Sequence, residues 1–407
     1  MAKLLLIEPH ASGHRAVYAA RLVRAAIARG DTVALATLES SASHPLFQAL
    51  AVEAAEQFRL IGMAVAKRAP ANSVPGRIRA EFAYHRLFAR MYRECLQHFR
   101  PDCVLVCYLD YCANAIALLG SPFADVPWAG ITMRQSFHHA DMGVVTPANA
   151  THGIKKRLFL RLLGQRTLLA VFTIDPTLPE WLARAAPEKL TKLTFVPDPA
   201  ELSGELTHTE ARSRFGIGRD AVVILVYGSI DTRKGIDVLF HAMTRIDGDH
   251  DIHVLLAGVQ TDRAVRCLDT EAGRTLLRAG RLHQCNEFLS GTDEYAAFKA
   301  ADIVWLGYLE HYGMSGVMVQ AGHMALPVIA CNTGLIGWIT AKSDCGIVVD
   351  TGAVAELSSS LQQLAADRAL RERYGRNART SFASHTINNF TDRILDTLVA
   401  PRQSQRS

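Results

Sequence analysis

The chain has 407 residues, of which 49% are hydrophobic and 20% charged, and this balance is typical of a globular protein with two sizeable cores. The net charge of +5 suits anionic substrates or acidic lipid, but it is far below the charge of a dedicated nucleic-acid binder. No apolar run has the length of a membrane span or the form of a secretory signal, so a cytoplasmic protein is expected.

The first half of the chain alternates short apolar runs with helical spacing. The run Lys3–Glu8 is followed by a loop and by a helical pattern over Arg15–Arg29. Further runs of strand length are Thr32–Thr37, Asp102–Tyr108, Trp128–Thr132, Ala170–Ile174 and Leu193–Val196. This alternation predicts a doubly wound, Rossmann-like α/β domain over residues 1–198.

A linker and a second alternation follow. Pro197-Asp-Pro199 and the polar stretch Ala200–Thr209 break regular structure. The predicted strands after them are Ala221–Tyr227, His253–Ala257, Ile303–Trp305 and Val328–Ala330, and the predicted helices are Gly235–Thr244 and Asp293–Ala301. This predicts a second Rossmann-like α/β domain over residues 199–380. The last segment, residues 381–400, contains an amphipathic helix at about Ile387–Leu398.

The segment Glu310-His-Tyr-Gly-Met-Ser-Gly-Val-Met-Val-Gln320 places an acid and a glycine-containing bend directly before a helix. The first N–H groups of a helix have no intrahelical partner, and the helix dipole puts positive charge at this end. Glycine also lets the backbone approach a ligand closely. The segment therefore predicts a phosphate or diphosphate site at Gly313, Met314, Ser315 and Gly316.

A second motif, Tyr227-Gly-Ser-Ile-Asp-Thr-Arg-Lys-Gly235, connects a predicted strand to a helix. Arg233 and Lys234 are adjacent cations that could clamp a diphosphate, the guanidinium through paired hydrogen bonds and the ammonium as a point charge. The alternative is that both are solvated residues of a turn. The order Lys-Gly is not that of a P-loop, and the first turn of the chain has one glycine where a dinucleotide site needs three.

In their order and spacing these residues resemble the retaining glycosyltransferases of family 4, which have the GT-B fold. The resemblance covers mainly residues 220–352 and is carried by Gly228, Arg233-Lys-Gly235, Phe298-Lys-Ala-Ala-Asp302, Glu310 with its bend, and Leu326-Pro-Val-Ile-Ala330. It implies two Rossmann-like domains that face a central cleft. It also implies that the second domain binds a nucleotide sugar and that the C-terminal helix crosses back to the first domain.

The resemblance assigns roles on the donor side, with two departures. Family members usually carry two acids separated by seven residues, and the second, ribose-binding acid is replaced here by Gln320. Glu310 lies ten positions earlier, so it matches the first, sugar-binding acid only approximately. Ser229 stands where the family commonly has an arginine, and Arg233 is expected to take the place of that arginine. The expected donor-binding residues are Gly228, Ser229, Gly313, Met314, Ser315, Gly316, Gln320 and Phe288.

Cleavage of a sugar–diphosphate bond leaves negative charge on the phosphate, and preorganised donors stabilise that charge. Arg233, Lys234 and the backbone of the bend are the predicted donors. In the resembling family, retention is explained by attack from the front face, with the leaving phosphate helping to deprotonate the acceptor. No protein nucleophile is then needed. Glu310 and His139 complete the predicted catalytic group.

The first domain is expected to hold the acceptor. Gly13 and His14 lie in the loop after the first predicted strand, where a substrate would approach. His138 and His139 follow the strand Trp128–Thr132, and a histidine after the corresponding strand is often functional in the resembling family. The alternative for each histidine is a loop residue without a part in the reaction.

Two further features concern metals and membranes. Asp247-Gly-Asp249 superficially fits the metal-binding pair of the other sugar-transferase scaffold, but its place before a predicted strand favours a polar turn, so no metal is expected. Basic residues between Lys67 and Arg100 and the helix start Lys155-Lys-Arg-Leu-Phe-Leu-Arg161 could lie on the inner membrane face. The alternative is an ordinary solvated helix surface.

These observations predict a retaining GT-B glycosyltransferase that transfers a hexose from a nucleoside diphosphate sugar to an unidentified acceptor, which could be a glycan, a lipid-linked sugar or a small molecule. Neither a cofactor nor a nucleic-acid partner is expected. Two alternatives are a sugar-nucleotide epimerase or hydrolase on the same scaffold, and a non-catalytic nucleotide-sugar-binding protein. The departures at Ser229 and Gln320 favour the second alternative.

Overall fold

The computed structural model describes residues 1–64, 74–246 and 251–399. The chain splits into two compact units. Unit 1 comprises Met1–Met142, Ala148–Pro197 and the segment that begins at Ile387. Unit 2 comprises Gly143–Pro147 and Asp198–Thr386. Each unit is built around a parallel sheet with helices packed against it, as the alternation of strands and helices predicts.

Unit 1 contains seven parallel strands within its described residues. They are β1 (Lys3–Ile7), β2 (Thr32–Leu38), β3 (Phe58–Met63), β4 (Cys103–Val106), β5 (Trp128–Thr132), β6 (Leu168–Thr173) and β7 (Leu193–Phe195). Its helices are α1 (His14–Ala28), α2 (Glu39–Ala42), α3 (Pro45–Glu53), α4 (Val74–Leu96), α5 (Ala113–Leu119), α6 (His152–Leu163) and α7 (Thr177–Ala185). The strands form one sheet in the order β3-β2-β1-β4-β5-β6-β7.

The central strands of this sheet are continuous apolar runs because helices cover both of its faces. All four residues of β4 are buried, as are Leu4 to Ile7 of β1. β1 and β4 pair directly, with Leu4 opposite Cys103. The strand order reverses between these two strands, so the loops after β1 and β4 diverge and leave a crevice at the carboxyl edge, where α/β folds bind ligands.

The last described helix, α17 in the numbering of the whole chain (Ile387–Val399), belongs to unit 1. Phe390, Ile394 and Leu395 are fully buried, and the ring of Phe390 lies 5.2 Å from that of Tyr18 on α1. Arg29, directly after α1, forms ion pairs with Asp392 and Asp396 on α17. The amphipathic pattern of this helix thus corresponds to an apolar face on unit 1 and a charged outer face.

Unit 2 contains six parallel strands among its described residues. They are β8 (Val222–Tyr227), β9 (Ile252–Ala257), β10 (Leu282–Cys285), β11 (Ile303–Leu306), β12 (Val328–Cys331) and β13 (Gly346–Val349), in the order β10-β9-β8-β11-β12-β13. Its helices are α8 (His208–Arg214), α9 (Ile236–Met243), α10 (Asp262–Leu268), α11 (Glu271–Arg278), α12 (Thr292–Ala300), α13 (Gly316–His323), α14 (Gly334–Ser343), α15 (Val354–Ala366) and α16 (Arg368–Phe382).

A core cluster of unit 2 lies on one face of β8, β9 and β11, with Phe240 and Trp305 among its fully buried side chains. The strand order reverses between β8 and β11. The segment Gly228–Gly235 follows β8, and the segment from Gly307 to Ser315 follows β11. The two motifs that the sequence analysis selected therefore lie at the same reversal point of the sheet.

The predicted strands and helices are confirmed to within three residues at each end, with two corrections. The linker prediction Ala200–Thr209 is wrong at its end, because α8 begins at His208 with a reciprocal cap between Thr207 and Glu210. The strands β3, β10 and β13 were not predicted. All three lie at edges of the sheets.

Candidate functional site

The two loops at the reversal point of unit 2 are bonded to each other. The N–H of Leu309 donates to the carbonyl of Arg233 over 2.8 Å, and Nε1 of Trp305 donates to the carbonyl of Lys234 over 2.7 Å. Gly235 has a left-handed backbone with φ 64°, and a Cβ there would lie 2.3 Å from the carbonyl oxygen of Gly307. Only glycine fits this approach, so it sets how closely the first loop packs on the second.

Lys234 is a buried cation. Only 4% of the surface of Lys234 is exposed, and its Nζ donates to the hydroxyl of Tyr308 over 2.5 Å. Nζ also lies 3.9 Å from the position that a Cβ would take on Gly228, so the ammonium is next to the glycine turn after β8. Among the described residues, no carboxylate forms an ion pair with it. Burying an unpaired charge is costly, and an anionic ligand at the turn would offset that cost.

Arg233 is joined to the bend before α13 through His311. Nη1 of Arg233 donates to Nδ1 of His311 over 3.2 Å, and Nε2 of His311 lies 3.1 Å from the carbonyl oxygen of Met314. Because the guanidinium can only donate and the carbonyl can only accept, His311 accepts at Nδ1 and carries its hydrogen on Nε2. The side chain of Arg233 remains 40% exposed and is therefore accessible to a ligand. His311 was not selected from the sequence.

The bend contains the predicted acid and the predicted helix start. Glu310 is exposed and has φ 52°, a left-handed conformation that is uncommon for a residue other than glycine. Gly316 is the first residue of α13, and a Cβ there would meet nothing within 4 Å. Ser315 precedes the helix without a side-chain cap, Gly313 and Met314 are half-buried, and the first turn of the helix has no acid. This leaves the start of α13 electrostatically suited to an anion.

Gln320 is oriented by a carboxylate. Its Nε2 donates to Oε1 of Glu294 over 2.5 Å, and the hydroxyl of Tyr227 donates to the same oxygen over 2.8 Å. Burial and the neighbouring Glu294 raise the pKa of Tyr227 well above its usual range, so the hydroxyl stays protonated and donates. Because the amide nitrogen is committed to Glu294, the amide oxygen of Gln320 is left to accept a hydrogen bond. Glu294 was also not selected from the sequence.

Of the remaining predicted donor residues, Gly228 and Ser229 belong to the first of the bonded loops and Phe288 lies apart from it. Gly228 has φ 95° and is half-buried, and Ser229 is exposed in the same turn. Phe288 lies in the loop after β10 with 81% of its surface exposed, and no described contact brings it to the two bonded loops. A role for Phe288 in donor binding stays a prediction.

In unit 1, Gly13 precedes α1 with φ 60° and open space where a Cβ would be. His14 begins this helix, and its side chain lies outside the described residues. At the end of β1, Glu8 is 1% exposed and accepts from the N–H of His10 over 3.1 Å. Burial raises the pKa of Glu8 to about 7, against the effects of that hydrogen bond and of Arg15.

Aromatic rings surround this end of β1. The rings of Tyr84 and Tyr111 stack with centroids 4.5 Å apart, and Nε2 of His10 lies 2.8 Å from the hydroxyl of Tyr84. The guanidinium of Arg15 lies 4.7 Å from the ring of Tyr108 and 5.2 Å from that of Tyr111. Stacked rings with a cation and hydroxyl groups are suited to a polar ring-shaped ligand at this edge. The sequence analysis named only Gly13 and His14 here.

The predicted catalytic residue His139 is 1% exposed, and its Nε2 lies 2.8 Å from Oδ2 of Asp175. Nε2 of His138 lies 3.1 Å from the same oxygen. Burial would raise the pKa of Asp175, but the two histidines outweigh it and hold that pKa below its usual range. The ring of His139 is covered in this conformation, and its catalytic role stays a prediction. The two histidines connect the segments after β5 and β6.

These three side chains could hold a metal ion, since their ligand atoms lie within 4.8 Å of one another. However, Nδ1 of each histidine is buried without a hydrogen-bond partner. Histidines that bind metals almost always donate from their second nitrogen to a carboxylate, a carbonyl or water. The surroundings therefore favour a structural contact between histidines and carboxylate.

Two predicted features lie outside the described residues. Asp247-Gly-Asp249 falls in the range 247–250, and Lys67 and Arg68 fall in the range 65–73. Over the residues that the structure does describe, no helix combines the length and apolarity needed to cross a membrane.

With this geometry in view, residues 208–381 match the family model for glycosyl transferases group 1. The matched segment lies in unit 2. It contains both bonded loops, and the family resemblance predicted from the motifs is confirmed. A D-inositol 3-phosphate glycosyltransferase from Streptomyces bingchenggensis is 28% identical over 182 residues, which cover 41% of this chain and 38% of the relative. The chain spans about half, or less, of the length of the curated relatives it matches.

Solved structures extend the likeness beyond the group 1 segment to the whole fold. Sucrose-phosphate synthase from Thermosynechococcus elongatus covers 100% of both chains with a TM-score of 0.71 and 17% identity. HepE from Anabaena in complex with UDP covers 98% of this chain and 100% of its own, with a TM-score of 0.65 and 14% identity. At such identities the likeness concerns the fold alone. The predicted GT-B fold, with two Rossmann-like parallel-sheet units, is confirmed.

Proposed function

We propose that the chain is a retaining glycosyltransferase that transfers a hexose from a nucleoside diphosphate sugar to an acceptor. The observation that carries this proposal is Lys234, a buried ammonium without a carboxylate partner among the described residues, held at the reversal point of a group 1 segment. The fold already buries the ammonium of Lys234 in the free protein, so an anion would bind beside a cation that needs no further desolvation. A diphosphate is an anion that also fits the neighbouring helix start.

The residues around Lys234 fit the chemistry of a departing diphosphate. Arg233 is held by His311 and can donate two parallel hydrogen bonds, while the start of α13 offers backbone N–H groups. Because these donors are fixed before the reaction, they can stabilise the charge that grows on the phosphate without reorganising. Glu310 at the bend would accept hydrogen bonds from hydroxyl groups of the transferred sugar.

The nucleoside part would extend along α13 towards Gln320. This residue lies one turn beyond the helix start, and Glu294 orients its amide so that the oxygen is left as an acceptor. A ribose hydroxyl could donate to that oxygen. Gln320 would then bind without the charge that the resembling family has at this position, and a weaker, neutral hydrogen bond is expected.

The acceptor would bind in unit 1, beside Gly13 and the aromatic group around Tyr84, Tyr108 and Tyr111. The ring stacking and the guanidinium of Arg15 support a polar, ring-shaped acceptor such as a sugar or a cyclic polyol. The names of the relatives support the same class, since they are D-inositol 3-phosphate glycosyltransferases. HepE was solved with UDP, which supports uridine diphosphate sugars as the first donors to test.

The experiment is incubation of the chain with a panel of nucleotide sugars, with and without candidate acceptors, followed by quantification of the nucleoside diphosphate and of the sugar product. A transferase releases diphosphate faster with an acceptor and gives a product with the donor's anomeric configuration. Equal release without an acceptor would indicate a hydrolase. Donor binding without any release, across the panel, would indicate a binding protein and would overturn the proposal.

The same assay tests the prediction that no metal is required. The proposed phosphate donors are the cations Arg233 and Lys234 and a helix start, which supply the positive charge that a metal would otherwise provide. Activity should therefore survive excess EDTA. A full loss that Mn²⁺ or Mg²⁺ restores would contradict this part of the proposal.

A further inference from the structure

Three neighbouring helices of unit 1 expose large apolar side chains. Ile78 on α4 is 53% exposed, Leu118 and Leu119 at the end of α5 are 47% and 57% exposed, and Ile154 on α6 is 61% exposed. We refer to the exposed surface of α4, α5 and α6 as the basic-apolar face. Single exposed apolar residues are common on proteins, but four on adjacent helices form an unusual concentration.

Hydrogen bonds hold the three helices together. Glu81 on α4 accepts from the backbone and side chain of Asn114 on α5. Nε2 of His85, one turn further along α4, lies 3.0 Å from the carbonyl oxygen of Gly120, directly after α5. Gln165, after α6, donates to the carbonyl of Ile116 over 2.5 Å. The face is therefore one connected surface whose helices cannot separate without breaking these bonds.

The charge of this face is strongly positive. The three helices carry nine basic residues, which are Arg77, Arg79, Arg86, Arg90, Arg93, Lys155, Lys156, Arg157 and Arg161. They carry two acids, Glu81 and Glu94, and Glu81 is turned towards Asn114. The resulting net charge of +7 exceeds the +5 of the entire chain. Lys156 is the exception on α6, since it pairs with Asp141.

We propose that the basic-apolar face docks on an anionic phospholipid bilayer. Arginine and lysine would contact the lipid phosphates, and Ile78, Leu118, Leu119 and Ile154 would insert shallowly between the headgroups. The combination points to lipid because a surface for nucleic acid needs the cations but not four exposed aliphatic side chains. The proposal goes beyond sugar transfer and does not depend on it.

The position of the face has a consequence for the acceptor. In a parallel α/β sheet each helix begins near the carboxyl edge, and the starts of α4, α5 and α6 therefore lie at the edge where Tyr84 and Tyr111 gather. A bilayer on this face would bring groups at headgroup depth close to that edge. An acceptor attached to a lipid would then be presented to unit 1 without leaving the membrane.

The experiment is flotation of the full chain with vesicles of phosphatidylcholine alone or mixed with phosphatidylglycerol, at low and high salt. Binding is expected only to the mixed vesicles and should weaken with salt. Since each cation near an anionic surface contributes about fivefold to partitioning, Arg157→Gln with Arg161→Gln should weaken binding about 25-fold. The matched control is Arg274→Gln with Arg278→Gln, an exposed pair with the same spacing on α11 of unit 2.

A second set of variants tests the exposed apolar side chains of the face. Ile78→Ser with Ile154→Ser should weaken binding to mixed vesicles about tenfold or more, while Leu277→Ser on α11 should leave it unchanged. The circular dichroism spectrum and the midpoint of urea denaturation of each variant serve as the check on folding. Equal binding to neutral and anionic vesicles, equal losses in the unit 2 controls, or full binding by the isoleucine variant would each overturn the proposal. So would tighter binding to a nucleic acid than to anionic vesicles.

Discussion

Replacement of Lys234 by methionine should separate ligand binding from stability. Methionine keeps the length of the side chain and removes the charge at a position that is 4% exposed. In the free protein the ammonium is bonded to the neutral hydroxyl of Tyr308 and forms no ion pair among the described residues. The ammonium also lies 4.2 Å from the centroid of the Tyr308 ring. The variant therefore loses one hydrogen bond, worth about 0.5–1.5 kcal/mol, and a cation–π contact, worth about 0.5–2 kcal/mol. It also loses the cost of burying a charge, which is several kcal/mol per ion.

The free energy of unfolding should consequently stay the same or rise. Affinity for a nucleoside diphosphate should fall, because a hydrogen bond to a charged group contributes about 1.5–3 kcal/mol. That range corresponds to a loss of roughly 10- to 150-fold in the dissociation constant. An effect of opposite sign on binding and stability is characteristic of a cation kept for a ligand.

The measurements are calorimetric titration with UDP and denaturation in urea, each on the wild type and the variant. The matched control is Lys342→Met, since the ammonium of Lys342 also lies over an aromatic ring, 4.4 Å from that of Trp338 on α14. The Lys342→Met variant should leave UDP affinity unchanged. If Lys234→Met kept its UDP affinity and lost stability, the lysine would be a structural partner of Tyr308, and the central observation of the proposed function would be lost.

Three further substitutions test two residues of the proposed donor site and one buried carboxyl group of unit 1. Glu310→Gln should lower turnover at least tenfold, about 1.4 kcal/mol in the transition state, with little change in UDP binding. Initial rates and calorimetric titration measure the two effects. A loss of UDP affinity with unchanged sugar preference would assign Glu310 to the ribose. Glu294→Gln should free the amide of Gln320 and weaken UDP binding several-fold but leave pyrophosphate binding unchanged, and equal losses for both ligands would contradict the assigned orientation. Burial raises the pKa of Glu8 from 4.5 to about 7. Between these pH values the folded chain keeps a proton that the unfolded chain releases. The contribution of Glu8 to the free energy of unfolding therefore falls by up to about 3 kcal/mol as the pH rises from 4.5 to 7. Glu8→Gln should therefore gain about that much stability relative to the wild type at pH 8 compared with pH 4, measured by urea denaturation, whereas a difference independent of pH would refute the reasoning.

The interior of both sheets could be predicted from the sequence, but most of their edges could not. β1, β5 and β8 are apolar in nearly every residue because both faces of each strand are covered by helices. The edge strand β3 alternates less clearly, with Arg59 and Gly62 exposed on it, and β10 is the largely polar sequence LHQC. An edge strand is partly solvated, so the apolar run that identifies a strand is absent.

The local motifs of the donor side could be predicted, but their connections could not. The sequence placed Arg233 and Lys234 in a turn, and either burial or solvation was compatible with that turn. Burial depends on Tyr308, 74 residues further along the chain. The link through His311 depends in the same way on how two loops pack. The burial of His139 could not be predicted either, because its partner Asp175 lies 36 residues away in the sequence.

The packing of α17 also affects how the protein is made. The sheet of unit 1 is complete at Phe195, yet α1 remains without the cover of Phe390 and its neighbours until the final segment has been synthesised. Unit 2 has all its strands and helices by then. During synthesis, unit 1 therefore gains α17 only after the strands and helices of unit 2 have been made. A stalled or proteolysed product that ends near residue 198 would expose an apolar helix face, which is the kind of surface that chaperones and proteases recognise.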